Sequence, residues 1–289
     1  MMNSSPLDRR LNAYRADLAN IELTDRVEAA SYVSGQAARV VAHFADVYDQ
    51  PDSAVLQTQF LHGHEVTIFE RKNGWAWVQG KSDQYVGYVR DETLTREGES
   101  LISPNHMVAA PRTFIYSNAD LKLPRIGYLS VGSNVKVIDQ TTTRGTDYSM
   151  LDGGGAVVSR HLMKIGDWND DPVEVAETLL HTPYLWGGST GFGIDCSGLV
   201  WLSQMLCGKR VLRDTDQQAN SIGQEIALDF GRLQRGDLVF WKGHVGMMAD
   251  SENLLHANGN SMDVSLEPLN AAVERIGYLY QQPTMARRP

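Results

Sequence analysis

Apolar and polar positions alternate on two different periods along this chain, and the change of period divides it. In residues 1–43 apolar positions are scattered among mixed charges, which predicts an arm, partly helical, that packs on the next segment of the chain. From Phe44 the period shortens to two. Val66-Thr-Ile-Phe69, Trp75-Ala-Trp-Val78 and Tyr85-Val-Gly-Tyr-Val89 read as short strands, and Asn73-Gly74 between the first two is a hairpin turn. Residues 44–102 are therefore expected to form a small β-barrel, with Trp75, Trp77, Tyr85 and Tyr88 available to its core and strand pairs. Residues 103–166 repeat the style more loosely through Thr113–Tyr116, Val135–Ile138, Tyr148–Leu151 and Ala156–Val158, which predicts a second barrel.

Beyond residue 167 helical spacing appears. Asp171-Pro172 followed by Val-Glu-Val-Ala-Glu-Thr-Leu-Leu predicts a capped amphipathic helix. A second helix begins near Cys196, because Leu199, Val200, Leu202, Met205 and Leu206 fall roughly on one face. His244 and His256 each lie in a strand-like run, and Asp250-Ser-Glu-Asn253 between the runs is a turn signal. A hairpin there would bring both imidazoles to one side. The expected class is α+β: helices packed on an antiparallel sheet over residues 167–289, preceded by two small barrels.

Candidate chemistry gathers where a glycine-rich loop, Tyr184-Leu-Trp-Gly-Gly-Ser-Thr-Gly-Phe-Gly-Ile-Asp, runs into Cys196. Asp195 is a good N-cap, and Cys196 then sits at the positive end of the helix dipole, where a thiolate is favoured. The loop glycines leave the approach to sulfur open, and Gly198 lets a ligand come close to the first turn. Alone, Cys196 also reads as an inert buried cysteine, and each histidine as an ordinary core or surface residue. Together they form a nucleophile, a histidine base and a polar group that orients the base.

Composition narrows the partners. The 289 residues suit two or more domains. A net charge of −9 and a pI near 5.3 argue against a nucleic-acid or anionic-membrane partner. Cys196 and Cys207, eleven positions apart in one predicted helix, lie about 16 Å apart by helical rise and cannot bridge. His62-Gly-His64 is the one weak metal-like pair, so no metal and no cofactor are expected. No segment approaches ~18 consecutive apolar residues, and Met1–Arg10 lacks the apolar run of a signal peptide, so a cytoplasmic location is expected.

Pro183-Tyr-Leu-Trp-Gly-Gly, Asp195-Cys-Ser-Gly-Leu-Val, Arg213-Asp-Thr, Gly236-Asp-Leu-Val-Phe, Gly243-His-Val-Gly and His256-Ala occur in an order that resembles the NlpC-type papain-like cysteine peptidases of bacterial cell-wall peptides. The resemblance covers roughly residues 167–289. It implies Cys196 as nucleophile, His244 as general base, His256 as the third polar residue and Tyr184 beside the oxyanion site. It also implies Asp195, Ser197 and Thr215 around the substrate's amine. Residues 44–102 resemble the bacterial SH3-like domains that precede such domains, while residues 103–166 resemble them only in pattern and position. In relatives with this layout the first barrel lends a tyrosine and an acidic residue to the groove. Tyr85 is the candidate tyrosine. The chain departs at the acidic position, where Gln57-Thr-Gln59 and Gly63-His64 stand.

The implied reaction is hydrolysis of the γ-D-glutamyl bond to a diamino acid in murein stem peptides with a free N-terminal L-Ala, which suits recycling. The implied partner is that small peptide, with the oligomeric state open. Two other readings remain: a wall-fragment binding module with a degenerate catalytic domain, and an amide or ester hydrolase using the same three side chains on another substrate. Arg213 and Asp214 are expected either as a structural ion pair or as a binding feature.

Overall fold

Period-two segments in the N-terminal third become a six-stranded antiparallel sheet rolled on its own core. The computed structural model describes residues 7–99, 101–279 and 281–289, which divide into one compact unit up to Ile102 and another from Ser103. The first unit begins with a two-residue parallel bridge between β1 (Ala19–Asn20) and β2 (Tyr32–Val33). Its sheet comprises β3 (Gln36–Arg39), β4 (Phe44–Tyr48), β5 (Leu56–Leu61), β6 (Glu65–Lys72), β7 (Trp75–Gly80) and β8 (Val86–Arg90). The spatial order is β3-β6-β7-β8-β4-β5. The β6–β7 hairpin turns at Asn73 and Gly74, both with positive φ, as an Asn-Gly turn requires.

Two expectations for this unit change. Described residues 7–43 hold one 3-10 turn, Ile21–Leu23, and no α-helix; Gln36–Arg39 is a strand of the barrel, with Ala38 in its core. The apolar positions of the arm are used differently: Ala13 and Leu18 pack with Phe69 and Trp77 on the sheet's outer face. There Arg15 lies over Trp77 at 4.4 Å and pairs with Glu70 at 2.8 Å.

In the second unit the barrel comprises β9 (His106–Val108), β10 (Arg112–Tyr116), β11 (Arg125–Ser130), β12 (Asn134–Val135), β13 (Val137–Thr143), β14 (Thr146–Leu151), β15 (Ala156–Val158) and β16 (Leu162–Lys164). They form sheets ordered β11-β10-β15-β14-β13 and β12-β9-β16 around Val108, Leu129, Val135, Val137, Leu151 and Val157.

After the barrel come α1 (Pro172–Glu177), a small hairpin of β17 (Ser189–Thr190) and β18 (Gly193–Ile194), α2 (Cys196–Leu206) and α3 (Thr215–Ser221). Asp171 caps α1 by accepting from the Val173 amide at 2.8 Å, with Pro172 at the first helical position. The sheet continues as β19 (Gln224–Ile226), β20 (Leu238–Trp241), β21 (His244–Met248), β22 (Asn253–Asn258) and β23 (Asp263–Pro268). Then come α4 (Leu269–Leu279) and β24 (Met285–Arg288), which enters the sheet between β19 and β20. Helix α2 packs on α1 and across β21 and β22. It is buried almost all round, Ser203 and Gln204 included, rather than on one face. No helix among the described residues is long and apolar enough to cross a membrane.

Candidate functional site

The nucleophile turn is built by Asp195. As N-cap of α2 it accepts from the Gly198 amide at 2.7 Å, and its other oxygen accepts from the Gly187 amide at 2.9 Å. Ser197 Oγ donates to it at 3.3 Å and Arg213 Nη2 at 2.9 Å. A carboxylate offers about four lone-pair positions, and these four donors use them. Arg213, 1% exposed, also donates to Ser189 Oγ at 3.0 Å, Ser197 Oγ at 2.8 Å and Gly188 O at 3.0 Å. Arg213 pairs with Asp195, and Asp214 caps α3 in a capping box with Gln217.

Gly198 serves this bracket too. A Cβ there would meet Gly188 O at 2.4 Å and Asp195 Oδ1 at 3.0 Å, so its glycine allows the loop to close on the helix start rather than opening a ligand path.

Cys196, 6% exposed, lies at the first turn of α2 with Thr215 Oγ1 3.9 Å from its Sγ. Burial, with the Asp195 carboxylate second, pushes the thiol up to about 11, against which the Val245 amide and Thr215 hydroxyl act in the opposite direction. Cys196 therefore rests as a thiol. The helix-start argument for a resting thiolate is outweighed by desolvation.

His244 opens β21, directly after the Gly243 turn that joins it to β20. The turn residue Asp250 accepts from the Glu252 and Asn253 amides, and β21 and β22 pair as Met247–Leu255 and Met248–Leu254. This hairpin sets His244 Nε2 2.9 Å from His256 Nδ1. His244 is also faced by the Trp241 indole, with ring centroids 5.6 Å apart. Burial, then the His256 ring, lowers His244 to about 3, so the resting imidazole is neutral and keeps one ring nitrogen bare.

Tyr184 is half-buried, its amide donates to Met262 O at 2.8 Å, and its backbone bridges Ile194, two positions before Cys196. Thr215 is at the first position of α3, facing the thiol. Ser197 and Asp195 are occupied by the Arg213 bracket. Tyr85 is a core side chain of the first barrel, 3% exposed, and Gln57 is half-buried in that barrel at the bulge where Val47–Thr58 gives way to Tyr48–Leu56. His62 Nδ1 binds Ala42 O at 3.0 Å, and no group of three potential metal ligands occurs among the described residues. Cys196 and Cys207 are both free thiols.

Two side chains escaped sequence reasoning. His256 Nε2 lies 2.7 Å from Glu267 Oε1, and Glu267 in turn is paired with Arg275 of α4. The one sequence signal was alternation through Asp263–Glu267, which put Ser265 and Glu267 on the same face but did not fix the register of β23 against β22.

A buried thiol, a neutral imidazole and a second histidine are the groups that thiol acyl transfer uses. In such a reaction sulfur attacks a carbonyl carbon while its proton passes to the imidazole. The imidazolium then protonates the leaving amine as the C–N bond breaks, and water hydrolyses the thioester.

Residues 181–279 match the NlpC/P60 family, and residues 47–94 match the bacterial dipeptidyl-peptidase SH3 domain. Dipeptidyl-peptidase 6 of Lysinibacillus sphaericus is 28% identical over 248 residues, covering 78% of this chain and 90% of that protein. The γ-D-glutamyl-L-lysine dipeptidyl-peptidase of Bacillus cereus is 28% identical over 246 residues, covering 74% and 71%. A crystal structure of an NlpC/P60 family protein from Bacillus cereus superposes with a TM-score of 0.73 at 23% identity, covering 88% of this chain and 99% of that one. The papain-like fold, the match of residues 181–279 to the NlpC/P60 family and the match of residues 47–94 to the bacterial SH3 domain make this chain a cysteine peptidase with an NlpC/P60 domain and a bacterial SH3 domain.

Proposed function

We propose that the enzyme hydrolyses the γ-D-glutamyl bond to a diamino acid in peptidoglycan stem peptides with a free N-terminal L-Ala, releasing L-Ala-γ-D-Glu, in the recycling of wall fragments. The observation that carries this reading is the Cys196–His244–His256 site on a chain that aligns over most of its length with two γ-D-glutamyl-L-lysine dipeptidyl-peptidases of Bacillus. With Asp195 and Ser197 bracketed by Arg213, Thr215 is the nearby polar side chain best placed to meet a substrate amine.

The test is direct. Purified enzyme incubated with L-Ala-γ-D-Glu-L-Lys, its diaminopimelate counterpart and their N-acetylated forms should release the dipeptide from the free peptides at least tenfold faster than from the acetylated ones. Cys196→Ala should release none while remaining folded. Equal cleavage of free and acetylated peptides would overturn the dipeptidyl assignment, and cleavage by Cys196→Ala would overturn the mechanism.

A further inference from the structure

We infer that Glu267 is a positioning residue that sets the tautomers of both histidines, through hydrogen bonds running Glu267–His256–His244, and thereby leaves His244 Nδ1 unprotonated to receive the thiol proton. This rests on the assignment of Cys196 and His244 as the reacting pair.

Donors and acceptors along the string decide the tautomers. Ionised Glu267 can only accept, so His256 Nε2, 2.7 Å away, must carry the proton of that bond. In neutral His256 the other nitrogen, Nδ1, is then a lone-pair acceptor. His244 Nε2 lies 2.9 Å from it and must be the donor. A neutral His244 protonated on Nε2 has its lone pair on Nδ1. Reversing the string would place a proton on Nδ1 and remove the base.

Glu267 is held as a carboxylate chiefly by its hydrogen bond with His256, which shifts its ionisation downward. Sheet register makes the contact possible. His256 pairs with Ser265 across β22 and β23, and Glu267 is the diagonal neighbour on the same face. His256 is fully buried, so no solvent competes for its ring nitrogens. When His244 takes the thiol proton, the new positive charge is faced through His256 by the Glu267 carboxylate.

Glu267→Gln and Arg275→Met separate positioning from clasping. Gln keeps the shape but can present its NH₂ to His256 Nε2, which permits the reversed string; Arg275→Met removes the ion pair and leaves the carboxylate. In Glu267→Gln, kcat on the free stem peptide should fall about ten- to a hundredfold with KM unchanged within about twofold. That is less than the ~10⁴ lost when the group directly orienting a catalytic histidine becomes its amide, since one more ring intervenes. Ring ¹⁵N shifts of His244 and His256 should show protonated Nε2 and bare Nδ1 in wild type and in Arg275→Met, and a mixed pattern in Glu267→Gln. Arg275→Met should keep kcat within about threefold. Wild-type kcat and wild-type ¹⁵N shifts in folded Glu267→Gln would overturn the inference. So would an equal loss in Arg275→Met, which would make Glu267 only a clasp between β23 and α4. The ¹⁵N readout needs no substrate, so it decides the point even if the proposed peptide is not cleaved.

Discussion

At the scale of residues, Cys196 and His244 pull stability in opposite directions on the pH axis. His244 sits at about 3 in the folded protein against an ordinary 6.5. Between those values the unfolded chain binds a proton that the folded chain refuses, so stability rises with pH in this window and is lost as pH falls, by up to about 1.4 kcal/mol per pH unit. Cys196 sits at about 11 against 9.0. There the folded chain keeps a proton that the unfolded chain releases, so stability falls as pH rises from 9 to 11. Urea melts should show a plateau between about pH 6.5 and 9, and Cys196→Ala should weaken the alkaline decline, leaving the smaller share of Cys207, which burial also pushes up, while keeping the acid one. The same shift predicts that iodoacetamide labels Cys196 slowly at about pH 6 and faster toward about pH 10, measured on a Cys207→Ser background. Rapid labelling at the acid end in folded protein would show a resting thiolate and overturn the account of a desolvated thiol. The sequence displayed the local half of this chemistry, the Asp195 cap and the cysteine behind it. It did not display the desolvation, because burial of α2 on all sides is a property of its neighbours.

Among the elements, the β17–β18 hairpin is the link between the second barrel and the nucleophile. Gly191 at its tip donates its amide to Ser130 Oγ at 2.9 Å, and Phe192 stands edge-on to Tyr128 with ring centroids 5.0 Å apart. A Cβ on Gly191 would lie 2.1 Å from Pro111 O, a backbone atom that cannot swing away. The hairpin's other end is Ile194, one residue before the Asp195 bracket, so a displaced tip is transmitted to Cys196. Gly191→Ala should lower kcat/KM by at least about tenfold, since small misplacements near a reacting atom are costly. Gly153→Ala, where an added Cβ meets nothing within 4 Å, is the matched control and should leave kcat/KM unchanged. Wild-type kcat/KM in Gly191→Ala would mean that the barrel contact does not position the loop. Hairpins, caps and the histidine pair were legible because each is signalled within a few residues. The Arg213 bracket, the Glu267 contact and the Gly191 latch were not, because each joins segments whose meeting depends on sheet register or on docking of separate elements.

For the molecule as a whole, a boundary drawn at residues 166 and 167 from the change of period cuts through one compact unit rather than between two. Across that line run the Gly191–Ser130 hydrogen bond, the Phe192–Tyr128 ring contact and the seat of Gly191 against Pro111. Downstream of it the sheet completes itself late. Met285–Arg288 inserts between β19 and β20, with Arg288 gripping the buried Asp237 through two bonds of 2.7 Å and Arg287 donating to the carbonyls of Ala219, Ile222 and Gly223. The catalytic sheet thus has its own closure, and what the barrel adds is support for the nucleophile loop. Residues 103–289 produced alone should unfold in a single calorimetric transition. Residues 167–289 alone give up a buried hydrogen bond and an aromatic pair, together about 1–3 kcal/mol. At about 2–4 °C per kcal/mol for a domain of roughly this size, the melting temperature should drop by roughly 2–12 °C. Equal melting temperatures for the two fragments would show that the barrel and the catalytic part are energetically independent, and the latch at Gly191 would then have no stabilising role.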